Sequence, residues 1–322
     1  MTALLTVDGL GITLPSGVPV VHDATFSVGE GEIVGVAGES GSGKSLTAAA
    51  LLNLLPAGTS VTGTATFAGE DLLSLDRAGW QRVRGGGISM VFQDPTAALH
   101  PMLPIGRQLT EHMRRHLRLS KKDARARAVE LLDQVRIPDP ERTLRSYPHQ
   151  FSGGMRQRVA IAIALACRPT LLIADEPTTA LDVTVQAGIL ALLSRLRDET
   201  GLSVLFITHD LGVLSALTSR TYVFYAGRVM ETGPTGALLS APHHPYTAAL
   251  LSARPHGAAG TGALRPIPGS PVVPGQAPSG CPFEPRCAYA TADCAAAPPQ
   301  PAPVGTGRLS ACPVAPELEV AP

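Results

Sequence analysis

The stretch Gly38-Glu39-Ser40-Gly41-Ser42-Gly43-Lys44-Ser45 reads G-x-x-x-x-G-K-S. It follows the apolar run Glu32-Ile33-Val34-Gly35-Val36-Ala37, which predicts a short buried strand, and precedes Leu46-Thr47-Ala48-Ala49-Ala50-Leu51-Leu52, which predicts a helix. Strand, loop and helix in that order are the context in which such a motif carries meaning. The glycines let successive backbone N–H groups turn inward toward an anion, and the helix N-terminus adds its partial positive charge. Lys44 is then placed to reach the β- and γ-phosphates of a nucleotide, and the Ser45 hydroxyl to ligate Mg²⁺.

The remainder of the chain is organised around that loop. Leu4-Leu5-Thr6-Val7 and Ala24-Thr25-Phe26-Ser27-Val28 alternate between Gly, Pro and Ser turns, which predicts an antiparallel, hairpin-like sheet over residues 1–34. Val61–Phe67 continues the β pattern, and Gly87–Gln93 predicts a strand with Gln93 at its carboxyl edge. Residues 104–165 turn helical, with Ala128, Leu131, Leu132 and Val135 at three- and four-residue spacing. The basic run from Arg114 to Arg127 reads as a solvated helix face. From Thr170 the β/α alternation returns, with strands at 170–175 and 203–208, a helix at 185–196 and a hairpin through Ala226-Gly227-Arg228. Strands alternating with helices predict a mainly parallel α/β sheet.

Two further clusters carry chemistry. Leu171-Leu172-Ile173-Ala174-Asp175-Glu176 is an apolar strand ending in two acids. The first carboxylate can hold Mg²⁺ through water, and the second can polarise a water that attacks the γ-phosphate. Between loop and acids lies Phe151-Ser152-Gly153-Gly154-Met155-Arg156-Gln157-Arg158, a second small-residue helix start suited to an anion. One nucleotide needs both anion sites only when it is sandwiched between two copies of such a chain, each donating a different loop.

Lys+Arg and Asp+Glu are equal at 26 each and aromatics make up 4 %, so neither charge nor stacking surface favours a nucleic-acid partner. The start of the chain lacks the basic and apolar regions of a secretory signal, and no run of about 18 apolar residues occurs. The expected place is therefore the cytoplasm, with any membrane attachment made through another protein. Cys167 sits alone in an apolar helix and reads as core. The other cysteines are spaced Cys281-x5-Cys287-x6-Cys294-x17-Cys312 in a tail that holds 14 of the 29 prolines from residue 265 onward. Such a tail is expected to be disordered unless something staples it. Four thiolates suit tetrahedral Zn²⁺ or a 4Fe-4S cluster, and the wide spacing lacks the tight pairs of zinc ribbons.

The whole set, in this order, resembles the ATPase subunits of ATP-binding-cassette (ABC) transporters over about residues 3–255. In that family's terms Gly38–Ser45 resembles Walker A, Gln93 the Q-loop, Ser152-Gly153-Gly154 with Gln157 the signature, and Asp175-Glu176 Walker B. Ala180-Leu181-Asp182 resembles the D-loop and His209 the switch histidine. The finer likeness is to the oligopeptide/dipeptide/nickel importer branch. It is carried by Phe92–Pro101, Tyr147–Arg158, His244-Pro245-Tyr246-Thr247 and the Cys281–Cys287 segment.

The resemblance implies an α/β P-loop NTPase fold: a mainly parallel core sheet, an antiparallel β subdomain and a helical subdomain at about 104–165. A Cys/Pro-rich C-terminal extension would follow, with a boundary between residues 255 and 256. It implies ATP and Mg²⁺ as ligands, Glu176 as general base, His209 on the γ-phosphate and Gln93 as sensor. A 4Fe-4S cluster is implied for the four tail cysteines. Implied partners are two permease chains, a second and different ATPase, and an extracytoplasmic solute-binding protein, with this chain on the cytoplasmic face of the inner membrane. The implied cargo is a di- or oligopeptide. Import of nickel or a metal complex by the same machinery is the alternative, and a soluble cassette ATPase the remote one. One departure stands out. The family's adenine-stacking aromatic aligns with Leu14, an aliphatic side chain with no ring to stack on a base.

Overall fold

The computed structural model describes residues 3–179, 181–253, 266–314 and 318. Ala180 of the expected D-loop and the expected boundary at 255/256 lie outside them. The chain forms two compact units. A loop unit takes residues 2–28, 33–73 and 207–322, and a helix-rich unit takes residues 29–32 and 74–206.

The loop unit begins with β1 (Ala3–Thr13) and β2 (Pro19–Gly29), longer than their apolar runs suggested because polar positions on the open face continue each strand. Then come β3 (Ile33–Ala37), α1 (Lys44–Ala50), β4 (Ser60–Phe67) and β5 (Glu70–Asp71). One sheet has the order β2-β1-β4-β5, and β1 pairs antiparallel with β4, Leu5 facing Phe67. Every residue of β3 is buried, as a strand covered on both faces requires.

The helix-rich unit runs α2 (Arg77–Gly86), β6 (Ile88–Val91), α3 (Pro95–Ala98), α4 (Ile105–His116), α5 (Lys121–Gln134) and α6 (Pro140–Thr143). It continues with α7 (Gly153–Leu165), β7 (Leu171–Asp175), α8 (Val183–Thr200) and β8 (Ser203–Thr208). The helical expectation for 104–165 holds in α4, α5 and α7. On α4 the buried residues Ile105, Leu109 and Met113 repeat every four positions, giving one apolar stripe. β6 and β7 pair in parallel, Ile88 against Leu171. β6 stops at Val91, two residues before Gln93, which is exposed on the loop that follows. α8 ends at Gly201, whose left-handed φ of 71° lets its N–H reach the Arg197 carbonyl.

The loop unit resumes with α9 (Leu211–Leu217), β9 (Arg220–Tyr225), β10 (Arg228–Pro234), α10 (Thr235–Ser240) and α11 (Pro245–Ser252). β9 lies parallel to β3 and antiparallel to β10. The proline-rich tail forms α12 (Ala292–Ala296), β11 (Ala302–Gly305) and β12 (Arg308–Ser310). β11 and β12 are a hairpin added to the sheet, with Glu231 of β10 opposite Ser310 of β12. The described part of the tail is thus held by pairing and burial. Cys281, Phe283 and Cys294 pack with Val223, Tyr225, Met230, Leu238 and Tyr246 in one core. Phe283 is 2 % exposed, and hiding such a ring stabilises by about 1.5–3 kcal/mol.

Candidate functional site

Each unit carries its own set of candidate residues. In the loop unit, three glycines of residues 38–45 take positive φ: Gly38 at 149°, Gly41 at 80° and Gly43 at 98°. A Cβ on Gly38 would lie 2.1 Å from the Phe224 carbonyl oxygen, so that position admits only glycine. Lys44 is buried, and its Nζ donates to the carbonyls of Gly38 (2.8 Å) and Glu39 (2.9 Å) and to Ser42 Oγ (3.3 Å). Ser42 is buried, while Ser40, Gly41 and Ser45 face solvent. The Gly227 N–H donates to the Ser42 carbonyl at 2.9 Å, tying the loop to the β9–β10 turn. This curl presents backbone donors and one ammonium, the arrangement that holds a polyphosphate. His209 is exposed just after β8, beside the Asp210 side chain that caps α9. Leu14 is half-buried in the β1–β2 turn.

In the helix-rich unit, β7 delivers Asp175 and Glu176, both buried. Glu176 stands at φ 47°, a strained value for a side chain of this kind, and strain of that sort clusters at functional sites. Its Oε2 accepts from Gln93 Nε2 at 3.2 Å and from Thr179 Oγ1 at 2.9 Å. A carboxylate so oriented can take a proton from a water at its open edge. Thr179 was not anticipated from the sequence; its place three residues after Glu176 in a turn is the signal that could have found it.

Ser152 caps α7, its Oγ accepting the Met155 N–H at 3.3 Å, and with Gly153 it is exposed. Gly154 packs on α8: a Cβ there would be 2.4 Å from Val185 Cγ1. Gln157 is 1 % exposed, so the turn of α7 points it into the unit and away from solvent. Asp182 caps α8 by accepting the Val185 N–H at 2.9 Å.

All five cysteines are free thiols. Burial raises Cys167, the behaviour of an inert core residue. Burial pushes the Cys281 thiol up to about 11, with Cys294 and Cys287 near enough to add to the shift. Cys287 is raised by burial and by Cys312 and Cys294. Cys287 therefore lies near Cys281, Cys294 and Cys312. Among the described residues no group of three or more Cys, His, Asp or Glu side chains is placed to hold a metal ion.

Sequence reasoning missed the surroundings of this tail. His244 is fully buried and its Nδ1 accepts the Tyr246 N–H at 3.0 Å. Protonating that nitrogen would set two hydrogens face to face, and burial pushes the imidazole down to about 3. Glu231, also buried, accepts the N–H groups of His243 (2.8 Å) and His244 (3.0 Å) and pairs with Arg308 at 3.2 Å.

The geometry defines an α/β fold with a phosphate-binding loop, and comparison with known proteins narrows it. Residues 21–179 match the family described as ABC transporter, and residues 230–294 match that described as oligopeptide/dipeptide transporter, C-terminal region. The oligopeptide transport ATP-binding protein OppD of Escherichia coli is 47 % identical over 313 residues, 96 % of this chain and 93 % of its own. CbiO1 from Clostridium perfringens, part of the ABC transporter complex CbiONQ, superposes with a TM-score of 0.66 at 26 % identity over 74 % of this chain and 92 % of its own. The ATP-binding cassette MJ0796, in a dimeric post-hydrolysis state bound to ADP and Pi, gives 0.64 at 29 % identity over 72 % and 98 %. The chain belongs to the ABC transporter family, within its oligopeptide/dipeptide branch, and hydrolyses ATP. Among the described residues no helix is long and apolar enough to cross a membrane.

Proposed function

We propose that this ATPase powers the import of di- or oligopeptides. The observation that carries the reading is the match of residues 230–294 to the oligopeptide/dipeptide transporter C-terminal region, in a chain whose Tyr246 hydroxyl accepts the Glu39 N–H of the loop at 2.8 Å. Residues 1–255 form the ATP-binding domain and 256–322 an extension. The subunit acts with two permease chains, a second and different ATPase and an extracytoplasmic solute-binding protein, peripheral on the cytoplasmic face of the inner membrane. Gly38–Ser45 hold the phosphates, with Lys44 on the β- and γ-groups and Ser45 and Asp175 on Mg²⁺. Glu176 takes the proton of the attacking water, Gln93 orients that carboxylate, and His209 contacts the γ-phosphate. Ser152, Gly153 and Gly154 serve the nucleotide of the paired ATPase, and Asp182 fixes α8 beside them.

Cys281, Cys287, Cys294 and Cys312 hold a 4Fe-4S cluster. Bound there, it supplies four metal–thiolate bonds that staple the tail. Iron, sulfide and zinc assays on anaerobically purified protein test this, with about four irons expected per chain and one zinc in place of iron counting against it. The cargo is tested in vesicles bearing the whole transporter. Peptide-stimulated ATP hydrolysis with peptide uptake is expected, and stimulation by nickel complexes alone would overturn the peptide reading.

A further inference from the structure

The cysteine segment reaches the phosphate-binding loop through one side chain. Arg286 lies in a tight turn beside Cys287 and meets the carboxylate of Glu39, the second loop residue, in a two-pronged pair. Nη1 donates to Oε2 at 2.6 Å and Nη2 to Oε1 at 3.0 Å. The two side chains are 4 % and 21 % exposed, so this pair is not a screened surface bridge. Arg286 is held in turn by the Pro268 carbonyl (2.8 Å from Nε) and the Tyr225 hydroxyl (3.2 Å from Nη1). Its guanidinium also lies against the rings of Tyr225 and Phe283, 5.7 and 5.9 Å from their centres.

The loop end is equally fixed. The Glu39 N–H goes to Tyr246, its carbonyl receives Lys44 Nζ, and its carboxylate takes Arg286. Two consequences follow from elementary physics. Fixing Glu39 fixes the backbone from which Lys44 hangs. Neutralising it removes an anion from a loop that must accept a polyanion, where an uncompensated, partly buried carboxylate would repel the ligand.

We propose that Arg286 is a positioning residue of the phosphate-binding loop, so that the folded cysteine segment sets the loop's affinity for a nucleoside triphosphate. This rests on the reading of Gly38–Ser45 as the phosphate site and not on what the thiols bind. The link spans 247 positions of sequence, so its effect depends on the whole tail reaching its place.

The test uses the full-length protein, with ATP as probe, measuring equilibrium ATP binding, KM, kcat and the thermal midpoint. Arg286→Ala is expected to raise Kd and KM for ATP about tenfold while kcat stays within about threefold, since a buried charge loses its partner. Arg286→Lys should recover part of the loss, one prong of the fork being replaced. In a Glu39→Ala background, Arg286→Ala should add less than about twofold, because the two act as one unit. Unchanged affinity in Arg286→Ala, or effects that multiply in the double variant, would overturn the proposal. Should Arg286→Ala fail to fold, Glu39→Ala and Arg286→Lys with their double variant form the same cycle with the segment intact. Lys44→Ala separates the two levels: ATP binding unaltered there overturns the phosphate-site reading, and this proposal with it.

Discussion

Glu176 gathers at one residue what the chemistry asks of a base: buried, strained at φ 47°, and oriented by Gln93 and Thr179. Glu176→Gln should keep ATP binding and lower kcat by about 10²–10⁴, the range a positioned base contributes. Steady-state hydrolysis beside equilibrium binding checks it, and a fall in both alike would speak for lost structure instead. His244 yields a second residue-scale expectation. Its pKa falls from 6.5 to about 3 on folding, so between these values the unfolded chain holds more protons and stability rises with pH. Acidification from about pH 8 to pH 5 should therefore cost about 2 kcal/mol at this one site. Denaturant melts across that window should show a flatter slope in His244→Asn, which keeps an acceptor for the Tyr246 N–H and cannot charge. The legibility of such residues in the sequence follows their reach. Lys44, Ser45 and Glu176 act within a few positions of their own strand, and a local pattern carries that. Arg286 acts on Glu39 from the far end of the chain, where no local pattern points.

At the scale of elements, α7 and α8 touch where Gly154 meets Val185. Gly154→Ala would put a methyl group 2.4 Å from Val185 Cγ1, inside any real contact, so the Val185 side chain or the helices must shift. The expected loss is about 1–3 kcal/mol, the usual consequence of overpacking. Val185→Ala in the same chain should restore most of it, a rescue that a urea midpoint will read directly. Elements were legible wherever burial imposes a period. β3, β7 and β8 are wholly buried, with polar residues only at the strand ends Asp175, Ser203 and Thr208, and the stripe of α4 repeats every four residues. The β11–β12 hairpin was not, because Pro303, Gly305 and Gly307 read as loop when the partner strand β10 is out of view. Gln157 was assigned by motif position alone, and the helix turns it into the core.

For the molecule as a whole, the tail completes the unit that carries the phosphate loop. Ending the chain after residue 253 would uncover Tyr225, Tyr246 and Met230 and strip Glu231 of Arg308. Leaving one such buried charge unpaired costs about 3–5 kcal/mol. At about 2–4 °C per kcal/mol the thermal midpoint should fall by about 10 °C or more, with insoluble protein as the extreme. A truncated chain melting within a few degrees of the parent would show the tail to be an ornament of the fold. The sheet's outermost strand has a consequence of a different kind. β11 is four residues long and carries Pro303, so it offers few hydrogen-bond donors to any strand that might arrive from solution. The β11–β12 hairpin thereby covers the edge of β10, which would otherwise be open to a strand from solution.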